Sequence, residues 1–143
     1  MKGGNVVFNV NTYAKAKDGI KYDNHTVIRI NYNDPNPTSH GCALTVEALQ
    51  PDMEGEYGSQ KMPLSTLRVK GWFQYGGNNY NLSLIPLSAS SRILYSHQGG
   101  MPTTDLEVDV NLSYELGTGD DKLLNYSSNC FRCDLQFTLM QLP

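Results

Sequence analysis

Two short motifs contain side chains that could bind a metal. Cys130 and Cys133 are spaced C-x-x-C, and His40 and Cys42 are spaced H-x-C. Three cysteines and one histidine form a known ligand set of structural zinc sites, in which all four groups must lie within bonding distance. A strong zinc signal needs two correctly spaced pairs, and the histidine pair lies far away in the sequence. We therefore expect no metal and no cofactor.

The same cysteines could form a disulfide or remain as buried thiols. Cys42 and Cys133 are in phase with apolar neighbours that we expect in the core, so they could meet across a sandwich. Alternatively, Cys130 and Cys133 could close a small loop. An odd number of cysteines leaves at least one without an intramolecular disulfide partner. Buried thiols pack as small hydrophobic side chains, and this interpretation competes with both disulfides.

Catalysis has few candidate residues. Asp52, Glu54 and Glu56 crowd one segment, and two carboxylates can act as the acid and base of a glycosidase, but a solvated acidic loop explains the same pattern. Ser39 and His40 are adjacent in a turn, which does not make a triad, because triad partners converge in space. The sequence has no nucleophile elbow, H-E-x-x-H pair or phosphate-binding loop. We expect no catalytic residue and no enzymatic activity.

The composition argues against nucleic acid and membrane partners. Charged residues make up 17% of the chain, the net charge is −3, and no run of Lys or Arg offers a basic face. No segment approaches the ~18 apolar residues that a membrane span requires. This polar but weakly charged composition is typical of extracellular β-proteins, so we expect a secreted or cell-surface protein. Residues 1–8 lack the apolar segment of a signal peptide, and we expect the leader to be absent from this sequence.

The elements that must position these residues are strands, because apolar residues recur with a period of two almost throughout. Turns separate the runs at intervals of roughly ten residues. The pattern predicts one domain over residues 1–143, an all-β, Ig-like, Greek-key antiparallel β-sandwich of about eight strands, with a barrel as the lesser option. The expected strands are the runs NVVFNVNTY, HTVIRINY, CALTVEAL, TLRVKGWFQY, YNLSLIPLS, SRILYSH, DLEVDVNLSYEL and CDLQFTLMQL.

Four local features follow from Gly and Pro positions. The segment GGNN at 76–79 predicts a hairpin turn. Gly71 suggests a bulge, and Pro86 places its segment at a sheet edge or a bend. A helix fits only in AKAKDG, for one or two turns.

Aromatic residues are more numerous than a core of this size needs, and several are near turns. Exposed rings on a sandwich can stack sugars, helped by Asn and Asp hydrogen bonds. Trp72, Tyr75 and Tyr80 are the candidate carbohydrate contacts. The competing interpretation is that Trp72 and most tyrosines close the rims of the core.

Two segments resemble the signatures of WxL-type surface domains of Gram-positive bacteria. TSHGCALTVEA is similar to the first signature and CDLQFTLMQLP to the closing one, although Cys42 and Phe137 stand where those domains have tryptophans. MPLSTLRV and VDVNLSYEL are similar to secreted bacterial β-sandwiches of the pilin and spore-coat kind. The resemblance implies a bacterial surface β-sandwich in which Cys42 has a packing role.

Two function classes therefore compete. The first is a structural or adhesive, pilin-like subunit of a bacterial cell-surface assembly or filament, in which subunits associate by adding a strand. Val6, Phe8 and Val10 are the candidate donor strand, unless they form only the chain's own first strand. Its partners would be copies of itself or neighbouring surface subunits. The second class is a monomeric module that binds cell-wall polysaccharide.

Overall fold

The computed structural model describes residues 5–33, 41–57, 60–75, 77–97, 105–119, 123–126 and 129–142. Ten strands in this part of the chain form two antiparallel sheets, which confirms the predicted all-β sandwich. In chain order the elements are β1 (Asn5–Val10), α1 (Tyr13–Asp18), β2 (Ile20–Asn33), β3 (Gly41–Ala48), β4 (Asp52–Gly55), β5 (Lys61–Pro63), β6 (Leu67–Tyr75), β7 (Asn78–Pro86), β8 (Arg92–His97), β9 (Asp105–Leu116) and β10 (Asn129–Leu142), with single 3₁₀ turns at Leu64–Thr66 and Leu123–Asn125.

The strands divide unequally between the sheets. The first sheet has the order β5-β4-β10-β3-β8, and β1 pairs with β10 outside this path. Along β10, β4 pairs with residues 131–132 and β3 with residues 135–142. The second sheet has the order β2-β9-β6-β7. Since β1 and β2 follow each other in sequence, the chain crosses from one sheet to the other through α1.

The prediction of about eight strands was low by two, because β4 and β5 have only four and three residues. Strands this short show no alternation in sequence, and the segment was interpreted as an acidic loop. Met53 and Met62 face each other across this pair and are fully buried. The carboxylates of Asp52 and Glu54 therefore project from a strand that the methionines anchor in the core.

The local predictions agree with the structure. The hairpin joins β6 to β7, with Tyr75 opposite Asn78 and Gly77 at a φ of +81°. The register of this pair shifts between Val69 and Gly71, and Pro86 ends the edge strand β7. The helix α1 is a single short segment of six residues.

The core lies between the two sheets, and both sheets contribute buried side chains to it. Tyr114 is fully buried, and its hydroxyl donates a hydrogen bond of 2.8 Å to Thr26 Oγ1. Burial raises the pKa of Tyr114 to about 12, so the phenol stays neutral in the core. Other large, fully buried residues are Phe8, Leu44, Met53, Met62, Leu67, Leu112, Leu116, Leu123 and Phe131.

Candidate functional site

The first strand lies at a sheet edge and supplies core side chains from there. Val6, Phe8 and Val10, the candidate donor residues, have 0%, 0% and 2% of their surface exposed. In this structure β1 pairs with the chain's own β10, and Phe8 stands opposite Phe131. The intervening side chain of Val7 faces outward and is 45% exposed. Alternation of apolar and exposed residues thus fixes which face of β1 enters the core.

An exposed connection joins β1 to the rest of the fold. Thr12 caps α1 by accepting a hydrogen bond from the Lys15 N–H at 3.2 Å. The helix buries none of its residues completely. The Lys15 ammonium donates to the Asn9 carbonyl at 3.3 Å and to the Asn11 carboxamide oxygen at 3.0 Å, both in exposed positions. Ala16 packs partly buried against the core and Gly19 lies close to the Leu116 carbonyl, so a change of path loses least buried surface over the exposed residues 11–14.

β1 covers only half of one edge of β10. It pairs with residues 129–134, whereas residues 135–142 pair with β3 on the opposite side. Both backbone groups of Asp134 face that opposite side, because its carbonyl accepts from the Leu49 N–H at 2.9 Å and its N–H donates to Gln50 Oε1 at 3.3 Å. Backbone groups alternate in direction along an antiparallel strand. Those of Leu135, Phe137 and Leu139 therefore face the β1 side, where no strand among the described residues pairs with them.

The uncovered half of this edge lies beside the apolar interior. Phe137 packs partly buried against the core, and Leu139 is 36% exposed. Leu139 also borders a small apolar gap between the sheets, together with Ile30 and Phe73. An extended segment added here would continue the line of β1 and cover these side chains.

A shallow pocket opens on the outer face of the first sheet, next to β1. Its volume is about 320 Å³, and Val7, Glu54, Glu56, Cys130 and Arg132 line it. Both glutamates are exposed. In the described ranges, no three His, Cys, Asp or Glu side chains are arranged to hold a metal ion. The pocket is therefore a mixed-charge depression along the β1–β10 pair.

The structure contains no disulfide among Cys42, Cys130 and Cys133. Cys42 lies opposite position 141 of β10. Cys133 is eight residues away along that strand, or about 26 Å. The suggestion that they meet across the sandwich was wrong, because both belong to the first sheet.

A loop disulfide between Cys130 and Cys133 is also absent, and a shared zinc site does not form from the described ligands. Cys130 lines the outer pocket and Cys133 is fully buried on the inner face, as odd spacing along a strand requires. His40 lies outside the described residues. Burial raises the pKa of Cys42 and raises that of Cys133 to about 12, so both act as uncharged packing groups.

The candidate carbohydrate contacts separate onto two faces of the second sheet. Trp72 points outward and is 38% exposed. Tyr75 packs partly buried against the core, and Tyr80 stacks on buried Phe73 with ring centres 5.0 Å apart. Because side chains alternate along a strand, the three residues do not form one stacking surface.

The sequence analysis missed the neighbours of Trp72. Its indole N–H donates to Asn24 Oδ1 at 2.9 Å, although 48 positions separate the two residues. Asn111 and Asn81 stand opposite Trp72 on the adjacent strands. Only strand order and register bring these residues together, and no local motif signals them.

No helix in the described ranges has the length and apolar character needed to cross a bilayer. No protein family model matches the chain, and the comparisons with curated proteins and with solved structures also find no match.

Proposed function

We propose that this protein is a non-enzymatic structural or adhesive subunit of a bacterial cell-surface assembly, pilin-like in that copies join by exchanging β1. The observation that carries the proposal is the position of Val6, Phe8 and Val10. They are buried core residues on a strand that lies at a sheet edge. The extracellular bacterial setting is supported by the resemblance of the β3 and β10 segments to surface domains and by the weakly charged composition.

Exchange of β1 between copies preserves the contacts that β1 makes within its own chain. Its main-chain hydrogen bonds and its apolar face can bind the β10 of another copy in the same register, because the acceptor strand is identical. The exposed residues 11–14 absorb the change in path. Strand addition of this kind derives affinity from the backbone and specificity from alternate side chains.

The edge at residues 135–142, with which no described strand pairs on the β1 side, also favours assembly. A single chain leaves Phe137 and Leu139 only partly covered. An incoming β1 would bind at residues 129–134, the adjacent half of the same edge. If each copy donates to the next, the contact is heterologous and produces an open filament.

A single substitution can report which chain supplies β1. Asn9 is exposed and lies opposite the native Cys130. The Cys130 carbonyl accepts from Glu56 on the other side, so the pair at positions 9 and 130 is not hydrogen-bonded and has a Cα separation of about 4.5 Å. That spacing suits a disulfide. Asn9→Cys therefore places a thiol where oxidation joins β1 to whichever β10 holds it.

The experiment oxidises Asn9→Cys after incubation at high protein concentration and resolves the products on a denaturing gel without reductant. Strand exchange predicts covalent dimers and longer ladders. If only intrachain disulfides form in a sample that scatters as an oligomer, the subunits associate by another surface and the exchange proposal fails. Asn9→Ser measures the cross-linking between chains that Cys130 causes without a second introduced thiol. Tyr13→Cys places a thiol on a side chain that is 73% exposed and lies outside β1, so it measures random cross-linking.

A further inference from the structure

The indole of Trp72 lies along the outer face of the second sheet. Trp72 belongs to β6 and its hydrogen-bond partner Asn24 belongs to β2, while β9 runs between those two strands. Neighbouring strands are about 4.8 Å apart. The side chain must therefore extend across β9 to reach Asn24, which leaves one side of the ring toward the sheet. The 38% exposure of Trp72 then belongs largely to the solvent side.

The residues around the ring hold it in place. Asn24 has a φ of +51° in the irregular part of β2, between Tyr22 and Thr26. Its N–H donates to Ser113 Oγ at 2.9 Å. Ser113 projects toward the outer face yet is only 6% exposed, as expected if the indole covers it. A ring fixed by a hydrogen bond and by the surface beneath it loses little entropy on binding a ligand.

Carboxamides surround this ring on its own face. Asn111 on β9 and Asn81 on β7 stand directly opposite Trp72, and Gln74 with its partner Asn79 forms the next outward row. Asn81, Gln74 and Asn79 are exposed. Their side chains make no hydrogen bond with the described part of the chain, so their amides remain available to a ligand. A carboxamide carries both donors and an acceptor, which matches the hydroxyl groups of a sugar.

Two of the cations near this patch are paired with carboxylates. Arg29 makes two hydrogen bonds to the Asp109 carboxylate, at 2.9 and 3.2 Å. The Lys70 ammonium lies 3.3 Å from Glu115 Oε2. Glu115 is shared with Arg68, whose guanidinium lies 3.9 Å from it, so the positive charge at this cluster is not fully compensated. The side chains that border the indole are uncharged carboxamides.

We propose that the outer face around Trp72, with Asn81, Gln74 and Asn79, binds a neutral oligosaccharide. The weakly positive C–H face of a sugar ring packs on the negative face of the indole, and the carboxamides pair with its hydroxyls. The ring and the carboxamides occupy neighbouring positions across β9, β6 and β7, which suits an extended chain of several sugar units. This site lies on the second sheet, away from β1, so it does not depend on strand exchange.

Trp72 is the chain's only tryptophan, so its fluorescence reports on this site directly. The probes are cellohexaose, hexa-N-acetylchitohexaose and mannohexaose, with hexagalacturonate as the acidic comparison. We expect at least one neutral probe to change the emission in a saturable way and the acidic probe to bind more weakly. No saturable response to any neutral probe, or tighter binding of hexagalacturonate, would overturn the proposal.

Calorimetry with the oligosaccharide that changes the fluorescence tests which residues contribute to its binding. Trp72→Ala and Asn81→Ala should each weaken binding about tenfold or more, whereas Tyr13→Ala, an exposed aromatic outside the patch, should bind as the wild type does. Asn81→Ala is the decisive variant if Trp72→Ala unfolds, because Asn81 is exposed and not part of the core. Unchanged affinity in folded Asn81→Ala and Trp72→Ala would place the sugar elsewhere and contradict the assignment.

Discussion

Phe8 and Tyr22 stack face to face with ring centres 4.9 Å apart and planes inclined by 7°, although Phe8 belongs to the first sheet and Tyr22 to the second. The edge strand β1 is therefore tied to the opposite layer as well as to β10. A copy that accepts β1 from a neighbour would stack its own Tyr22 on the Phe8 of the incoming strand in the same way. The contact makes the fold depend on β1, which is joined to β2 through residues 11–19.

Phe8→Ala should cost about 3–5 kcal/mol of the free energy of unfolding, because it removes a fully buried aromatic ring and leaves a cavity. Urea denaturation followed by circular dichroism gives the value. Val7→Ala, on the same strand but exposed, should stay within about 0.5 kcal/mol of the wild type. Similar losses for the two variants would mean that β1 does not insert its alternate side chains as described.

Stability should decline in alkaline solution. Burial raises the pKa of Cys133 from 9.0 to about 12 and that of Tyr114 from 10.0 to about 12. Since the folded chain holds these protons more tightly than the unfolded chain, their contribution is complete below pH 9 and is lost as the pH rises toward 12. Each group adds a slope of up to about 1.4 kcal/mol per pH unit within its window.

Urea titrations of the wild type and of Cys133→Ala between pH 8 and pH 10 isolate the thiol, because Tyr114 begins to contribute only above its unfolded value. The variant should show a shallower decline over that interval, with Cys130→Ala as the matched control for loss of a thiol. Identical slopes in Cys133→Ala and the wild type would contradict the burial of Cys133.

The cluster around Glu115 should stabilise the fold at neutral pH and not in acid. Burial opposes ionisation of Glu115, but hydrogen bonds from Thr118 and Lys70 outweigh it and hold its pKa below the ordinary value. Lys70→Met should therefore lower the free energy of unfolding by up to about 1 kcal/mol at pH 7. The difference should close as the pH falls below the ordinary glutamate value and Glu115 becomes protonated. Lys61→Met, at an exposed lysine on β5, controls for loss of a positive charge. A difference that does not shrink at all as the pH falls from 7 to 3 would rule out the ion pair as its source.

Much of the fold could be predicted because alternation over long strands is an unambiguous signal. The run from Asp105 to Leu116 and the burial of Val6, Phe8 and Val10 follow from the period of two alone. The short strands β4 and β5 could not be found in this way. Their pairing depends on Met53 meeting Met62, nine positions further along the chain, and strands of three or four residues are too short to show a periodic pattern.

The functional surfaces depend on register, which the sequence does not encode locally. Cys42 and Cys133 share an inward phase, yet the pairing of β3 with β10 sets them apart along one sheet. Trp72 and Tyr75 are candidates for the same sugar site, but the alternation along β6 places them on opposite faces of the second sheet. The partner of Trp72 is Asn24, which becomes visible only once β2, β9 and β6 are placed in order.

The most direct test of strand exchange locks β1 before assembly can begin. Asn9→Cys is oxidised at high dilution, so that the new thiol joins Cys130 of the same chain, and the monomer is then purified. Light scattering and negative-stain microscopy follow this locked chain and its reduced form over the same range of concentrations. Strand exchange predicts oligomers or filaments from the reduced chain and a monomer from the locked one. Equal assembly of both forms would contradict it, because β1 could not then be the strand that passes between subunits.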